Sequence, residues 1–159
     1  MPRVVLYQPQ IPPNTGNVAR TCAATGWELH LIEPLGFSIS DRQLRRAGLD
    51  YWPSVDLHRH GDFEAFRQES RRRGGRLLAL SSLAEQPYTG IEYAADDWLL
   101  FGRESDGLPE SVQEQADQRL TIPMPRNVRH GTHGVRSLNL SVAVGVVVFE
   151  ALRQLNRSG

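Results

Sequence analysis

Residues 98–109 read WLLFGRESDGLP: an apolar run that passes straight into a charged turn. Trp98–Phe101 shows no polar alternation, which is the pattern of a strand covered on both faces. Gly102 and Gly107 bracket the turn, and Pro109 suits the first turn of a following helix. Arg76–Leu80 (RLLAL) has the same uninterrupted character. Strands of this kind belong to parallel sheets, whose crossover connections put helices on both sides. Working outward, Arg3–Tyr7 (RVVLY) and Glu28–Ile32 (ELHLI) are predicted as the first two strands, Val55–His58 as a minor one and Arg119–Ile122 as the last. Helices are expected from Gly16 or Asn17 to Gly26, from a capping box at Ser40–Gln43 to about Gly48, and over Phe63–Arg73 before Gly74 and Gly75. Strand–helix alternation gives an α/β fold with a mostly parallel sheet flanked by helices, in one domain over residues 1–159.

The segment Leu138 to about Leu155 contains VAVGVVVF, which has high strand propensity but is too long for a usual strand. Leu138, Val142, Val146 and Phe149 share one helical face, so a buried helix is predicted.

Composition narrows the function classes. The chain has 159 residues, 40% hydrophobic and 23% charged, which excludes a disordered chain or a fibre. The longest uncharged apolar run, Leu138–Phe149, is shorter than the ~20 residues of a membrane span. No basic-then-apolar leader opens the sequence, and the single cysteine, Cys22, fits a reducing cytoplasm, so a cytoplasmic protein is expected. Cys22 lies one turn after Val18 in the first helix, where packing explains it. Formal charge is zero, with 18 basic against 18 acidic residues, and every basic residue is arginine. Genome composition explains that, and so does a need for flat, phosphate-matching forks. Arg42, Arg45 and Arg46 cluster, as do Arg71–Arg73 with Arg76, and Arg126, Arg129 and Arg136.

In open parallel sheets ligands sit beyond the carboxyl ends of the strands, so the turns that follow strands are the places to look. Residues 14–20 (NTGNVAR) follow the first strand; Arg20 there is either a surface arginine behind a helix cap or a cation aimed at a ligand. Glu104 in FGRESDGLP is either solvated or a carboxylate held at the sheet edge. LTIPM (120–124) leaves strand geometry at Pro123 and exposes backbone groups. In RSLNLS (136–141), capping accounts for Ser137 but not for Asn139 in the first turn of an apolar helix. His58 with His60, and His130 with His133, have pair spacings but no acid directly beside them and the only cysteine far off in sequence, so no metal is expected.

NTGNVAR, FGRESDGLP and IPM followed by SLNLS together resemble the three ordered motifs of the SPOUT class of RNA 2′-O-ribose methyltransferases, over nearly the whole chain. LYQPQIPPNTGNVARTCAATG, HLIEPLGF and LRRAGLDY resemble the small subgroup that acts on the wobble nucleotide, cytidine or uridine, of the tRNA anticodon loop. The resemblance implies a C-terminal trefoil knot, S-adenosyl-L-methionine as cofactor, tRNA as partner and a homodimer that completes each site across its interface. It implies catalytic roles for Arg20, Asn14, Glu104 and Asn139. It implies cofactor contacts from Leu80, Gly102, Ile122, Met124, Ser137 and Leu138. Because guanidinium groups hold their protons, Arg20 is expected to bind phosphate and acidify the hydroxyl rather than serve as the base. Two features depart from the class pattern: a longer basic segment at 125–136, and Phe149 where a tyrosine is usual. The longer segment keeps open a non-catalytic RNA-binding or assembly factor on the same fold, and the resemblance itself keeps open methylation of ribosomal RNA, on which related members act.

Overall fold

The computed structural model describes residues 1–40, 42, 44, 46, 51–125 and 137–157. Seven strands form one sheet: β1 (Arg3–Tyr7), β2 (Glu28–Ile32), β3 (Leu57–His60), β4 (Leu77–Leu80), β5 (Gln86–Pro87), β6 (Trp98–Phe101) and β7 (Gln118–Thr121). Their order is β3-β2-β1-β6-β4-β7-β5, and every pairing is parallel. The chain runs outward from β1 to β3, returns to lay down β4, and later inserts β6 between β1 and β4. Helices α1 (Pro12–Thr25), α2 (Phe63–Arg73) and α3 (Glu110–Gln113) lie between strands, α4 (Leu140–Arg157) follows the last strand, and a 3-10 turn occupies Trp52–Ser54.

Alternation along each strand divides the core. Val4, Leu6, Leu29, Leu31 and Leu99 pack with Val18 of α1 and with Val144, Val147 and Val148 of α4. On the other face Val5, Tyr7, Leu77, Ala79 and Leu100 pack with Phe66 of α2 and Val112 of α3. Trp98 is fully buried on that second face, its indole N–H donating to Gly74 O at 2.9 Å and Arg3 lying 4.1 Å over its ring.

The first two strands, β6 and α2 occupy the predicted spans; Asp62 caps α2 by accepting from Ala65 N at 2.8 Å. Other elements are displaced. α1 begins at Pro12, well before Gly16, because its two prolines occupy the first helical positions, where a fixed φ helps and a missing N–H costs nothing. It ends as expected on Gly26, whose φ of 73° is left-handed. The minor strand is Leu57–His60 rather than Val55–His58, since the 3-10 turn takes up the preceding residues. The last strand stops at Thr121, ahead of Ile122, and β5 carried no sequence signal. The capping box at 40–43 lies largely outside the described residues, as do 126–136 with His130 and His133.

α4 is a helix, but its expected buried face is the outward one. Val144, Val147, Val148 and Ala151 are fully buried, whereas Leu138, Val142 and Phe149 are 39%, 50% and 54% exposed. The helix is apolar nearly all round, so its periodicity could not choose between the two sides.

Candidate active site

The neighbouring strands β1, β6, β4 and β7 all release their carboxyl ends on one edge of the sheet. The turns that leave them, together with the entrance to α4, enclose a cleft of about 780 Å³, a usual size for a small-molecule site. Leu80, Gly102, Ile122, Met124, Ser137 and Leu138 all line it, as do Asn14, Glu104 and Asn139. Residues spread from 14 to 139 therefore meet in one place.

Gly102 is fixed by crowding: a β-carbon there would come within 2.4 Å of Gly107 C and 2.6 Å of Leu108 N. Gly107, with φ of 70°, turns the chain back so that Arg103 and Gly107 bridge each other. This tight loop presents Glu104 to the turn after β1. Its Oε1 accepts from Gln10 N at 2.9 Å, and its Oε2 from Ile11 N at 2.8 Å and from Asn14 Nδ2 at 3.3 Å. Ile11 offers α1 no side-chain cap and the next two residues are prolines. The carboxylate thus satisfies the amides at the mouth of the helix from 93 and 94 residues away.

The chain of bonds continues. Asn139 Nδ2 donates to Asn14 Oδ1 at 3.0 Å, while Asn139 Oδ1 accepts from Ser141 N at 2.9 Å and Ser141 Oγ at 2.7 Å. Asn139 is itself the cap of α4, a correction to the expectation that Ser137 caps and that capping leaves Asn139 unexplained. Ser137 is exposed on the cleft rim instead. With its oxygen occupied twice, the Asn139 amide is fixed with its N–H side towards Asn14. Asn14 is in turn oriented with its oxygen to Asn139 and its N–H to Glu104.

Arg20 does not join this group within the chain. It is exposed on α1, its guanidinium 4.9 Å above the Tyr51 ring, and among the described residues no carboxylate pairs with it. Sequence reasoning missed Gln8 and Arg103. Gln8 has a φ of 45°, unusual for a residue with a β-carbon and typical of backbone held under constraint near a site. Arg103 holds it, donating to Gln8 Oε1 at 2.6 Å while forking onto Asp106 and lying 5.2 Å over Tyr7. A cation and a carboxylate three residues apart gave no hint that the third partner lay 95 residues earlier.

Among the described residues, one group with potential metal ligands is Glu28, His30 and His58, with ligand atoms within 4.8 Å of one another. Its geometry is that of an ion-paired ladder. Arg73 forks onto Glu28 at 2.7 and 2.8 Å and holds its carboxyl down at about 2. His30 uses both ring nitrogens, one towards Glu28 at 2.7 Å and one towards His60 at 2.8 Å. Burial lowers its pKa to about 4, so it is neutral at pH 7. The His30 and His58 rings stack with planes 11° apart, and the Nε2 atoms of both lie near Glu28 Oε2, at 2.7 and 3.8 Å.

Residues 1–149 match the model of the SpoU rRNA Methylase family. The chain belongs to the SpoU methylase family. A tRNA (cytidine(34)-2′-O)-methyltransferase of Beijerinckia indica is 49% identical over 152 residues, covering 96% of this chain and 91% of that protein. A solved structure concerned with the 2-OH methylation of C/U34 on tRNA superposes with a TM-score of 0.90 at 53% identity, covering 99% and 97% of the two chains. An AdoMet-bound rRNA methyltransferase from Sinorhizobium meliloti superposes at 0.84 with 27% identity, over 97% of this chain and 56% of that one. This SpoU-family chain is accordingly a methyltransferase by kinship along its full length.

Proposed function

We propose that this chain transfers a methyl group from S-adenosylmethionine to the ribose 2′-hydroxyl of the wobble nucleotide, position 34, in the tRNA anticodon loop. The observation that carries the proposal is the bond path Glu104–Asn14–Asn139, which ties three distant turns together at the mouth of one cleft. The cleft fits the cofactor. Leu80, Ile122, Met124 and Leu138 provide apolar wall, and among the described residues the amides of Ile122 and Met124 donate to nothing, leaving donors for the edge of a purine. When bound, S-adenosylmethionine supplies an activated methyl group on a sulfonium, so no metal is needed for the transfer.

The chain's own residues supply positioning and charge. Asn14 and Asn139 hold the turns around the reacting centre at fixed spacing, and Glu104 anchors Asn14. Positioning of this kind is worth up to ~7–11 kcal/mol of barrier in favourable cases. Arg20, unpaired among the described residues, binds the phosphate beside the reacting ribose and stabilises the alkoxide that develops on the 2′-oxygen. Arg20 is six residues beyond Asn14 on α1, about 9 Å along the axis and on another face. We therefore assign it to the cleft of a second copy in an isologous homodimer. The exposed apolar residues Ile11, Leu138, Val142 and Phe149 support that contact surface. A trefoil knot around α4 belongs to the same reading.

The test is nucleoside mass spectrometry of tRNA after incubation with protein and cofactor. Wild-type protein should produce 2′-O-methylated nucleoside at position 34, and Arg20→Ala should lose at least ~100-fold in rate with cofactor affinity kept. Full activity in Arg20→Ala would remove its role, and no product from wild type would remove the function.

A further inference from the structure

We infer that Leu83 is a cofactor-contacting residue, its side chain packing on the adenosyl group of S-adenosylmethionine as the outer wall of the cleft. This rests on the methyl-transfer reading and adds a residue that neither the motifs nor the relatives point to. Leu83 lines the cleft and is 86% exposed, the most exposed large hydrophobic side chain among the described residues. A single exposed leucine is ordinary; one held outward by a built turn at the rim of a ligand cleft is not. Ser81 N donates to Leu120 O at 2.8 Å, which pins the turn to β7. Leu83 N donates to Ser81 Oγ at 3.2 Å and Ala84 N to Ser81 O at 3.2 Å, so the turn's own bonds set the position from which the side chain projects.

The chemistry of the surroundings selects the occupant. Leu83 shares the cleft with Leu80, Ala84, Ile122 and Met124, the last two with undirected amides. Amide donors in the plane of a flat heteroaromatic ring and aliphatic carbon against its face are the complement of adenine. A nucleotide of RNA bound outside the cleft would place neither against those amides.

Calorimetric titration of S-adenosylmethionine into the full-length protein tests this. Leu83→Ala should bind about tenfold more weakly and with a smaller negative heat-capacity change, since less apolar surface is buried on binding. Leu83→Met, which keeps apolar reach, should bind within about twofold of wild type. Because Leu83 is exposed without ligand, the unliganded melting temperature of Leu83→Ala should match wild type, so the affinity loss cannot be a folding defect. Wild-type affinity and heat capacity in Leu83→Ala would overturn the assignment, as would equal losses in Leu83→Met and Leu83→Ala. A wild-type protein that fails to bind S-adenosylmethionine would instead overturn the methyl-transfer reading on which the assignment stands.

Discussion

Replacing Glu104 with glutamine changes one oxygen to an NH₂ group and removes a charge, with almost no change in volume. The carboxylate accepts three bonds: Gln10 N, Ile11 N and Asn14 Nδ2. A glutamine can keep its single oxygen on the side of Ile11 and Asn14, but its NH₂ then faces the Gln10 N–H, donor against donor. One charge-assisted bond is lost outright, nominally ~1.5–3 kcal/mol. The other two fall to neutral strength, about half their former value. These bonds lie where water can reach them, so the lower end applies and the expected loss is about 2 kcal/mol. For a domain of this length that corresponds to a fall in Tm of roughly 4–8 °C. Urea unfolding with an unchanged m-value is the measurement, because only a constant m assigns the shift to the native state. A Glu104→Gln protein within about 0.5 kcal/mol of wild type, below the ~1.5 kcal/mol expected of even one such bond, would refute the carboxylate clamp.

Gly102→Ala forces a β-carbon against the backbone of Gly107 and Leu108, which cannot rotate away. The expected cost is ~1–3 kcal/mol by urea unfolding, with weaker S-adenosylmethionine binding, and wild-type stability would show that the loop can open without loss. Acid should destabilise the protein in two windows. His30 titrates at about 4 in the fold against ~6.5 in an unfolded chain, so below pH ~6.5 the unfolded state binds the extra proton. Stability is then complete above pH ~6.5 and falls towards pH 4 by on the order of 3 kcal/mol. Glu28 contributes its stability above ~4.3, and that is lost as pH drops through its folded value of about 2. A urea midpoint that stays flat between pH 6.5 and 4.5 would contradict the His30 assignment.

Which parts of this molecule were legible beforehand follows from the kind of signal each residue carries. Trp98–Phe101 is legible as a strand because an unbroken apolar tetrad between a charged segment and a glycine has few alternatives in a domain this size. α1 was started late because Asn14 and Gly16 resemble turn residues; the prolines ahead of them are the stronger start signal, and Asn14 is buried for its bonds to Asn139 and Glu104. The α4 face was inverted because valine on every side gives periodicity nothing to select. Asn139 has two tasks of which its sequence position shows neither: it caps its helix and it bonds Asn14. Two of the three partners of Glu104 are backbone amides, and no residue type announces a backbone amide.

Charge neutrality in the sequence concealed an uneven distribution. Arg59, Arg72, Arg73, Arg76, Arg103, Arg119 and Arg153 are each committed to a carboxylate. These pairs cancel locally and contribute little to any field beyond a Debye length. Arg20, Arg42 and Arg46 are exposed and unpaired among the described residues. They belong to α1 and to the connection between β2 and β3, as does Tyr51 beneath Arg20. A phosphate chain approaching α1 and the β2–β3 connection therefore meets arginines that no carboxylate holds among the described residues. The salt dependence of RNA binding should count the unpaired arginines, because each phosphate that such a guanidinium neutralises releases a counterion condensed on the RNA.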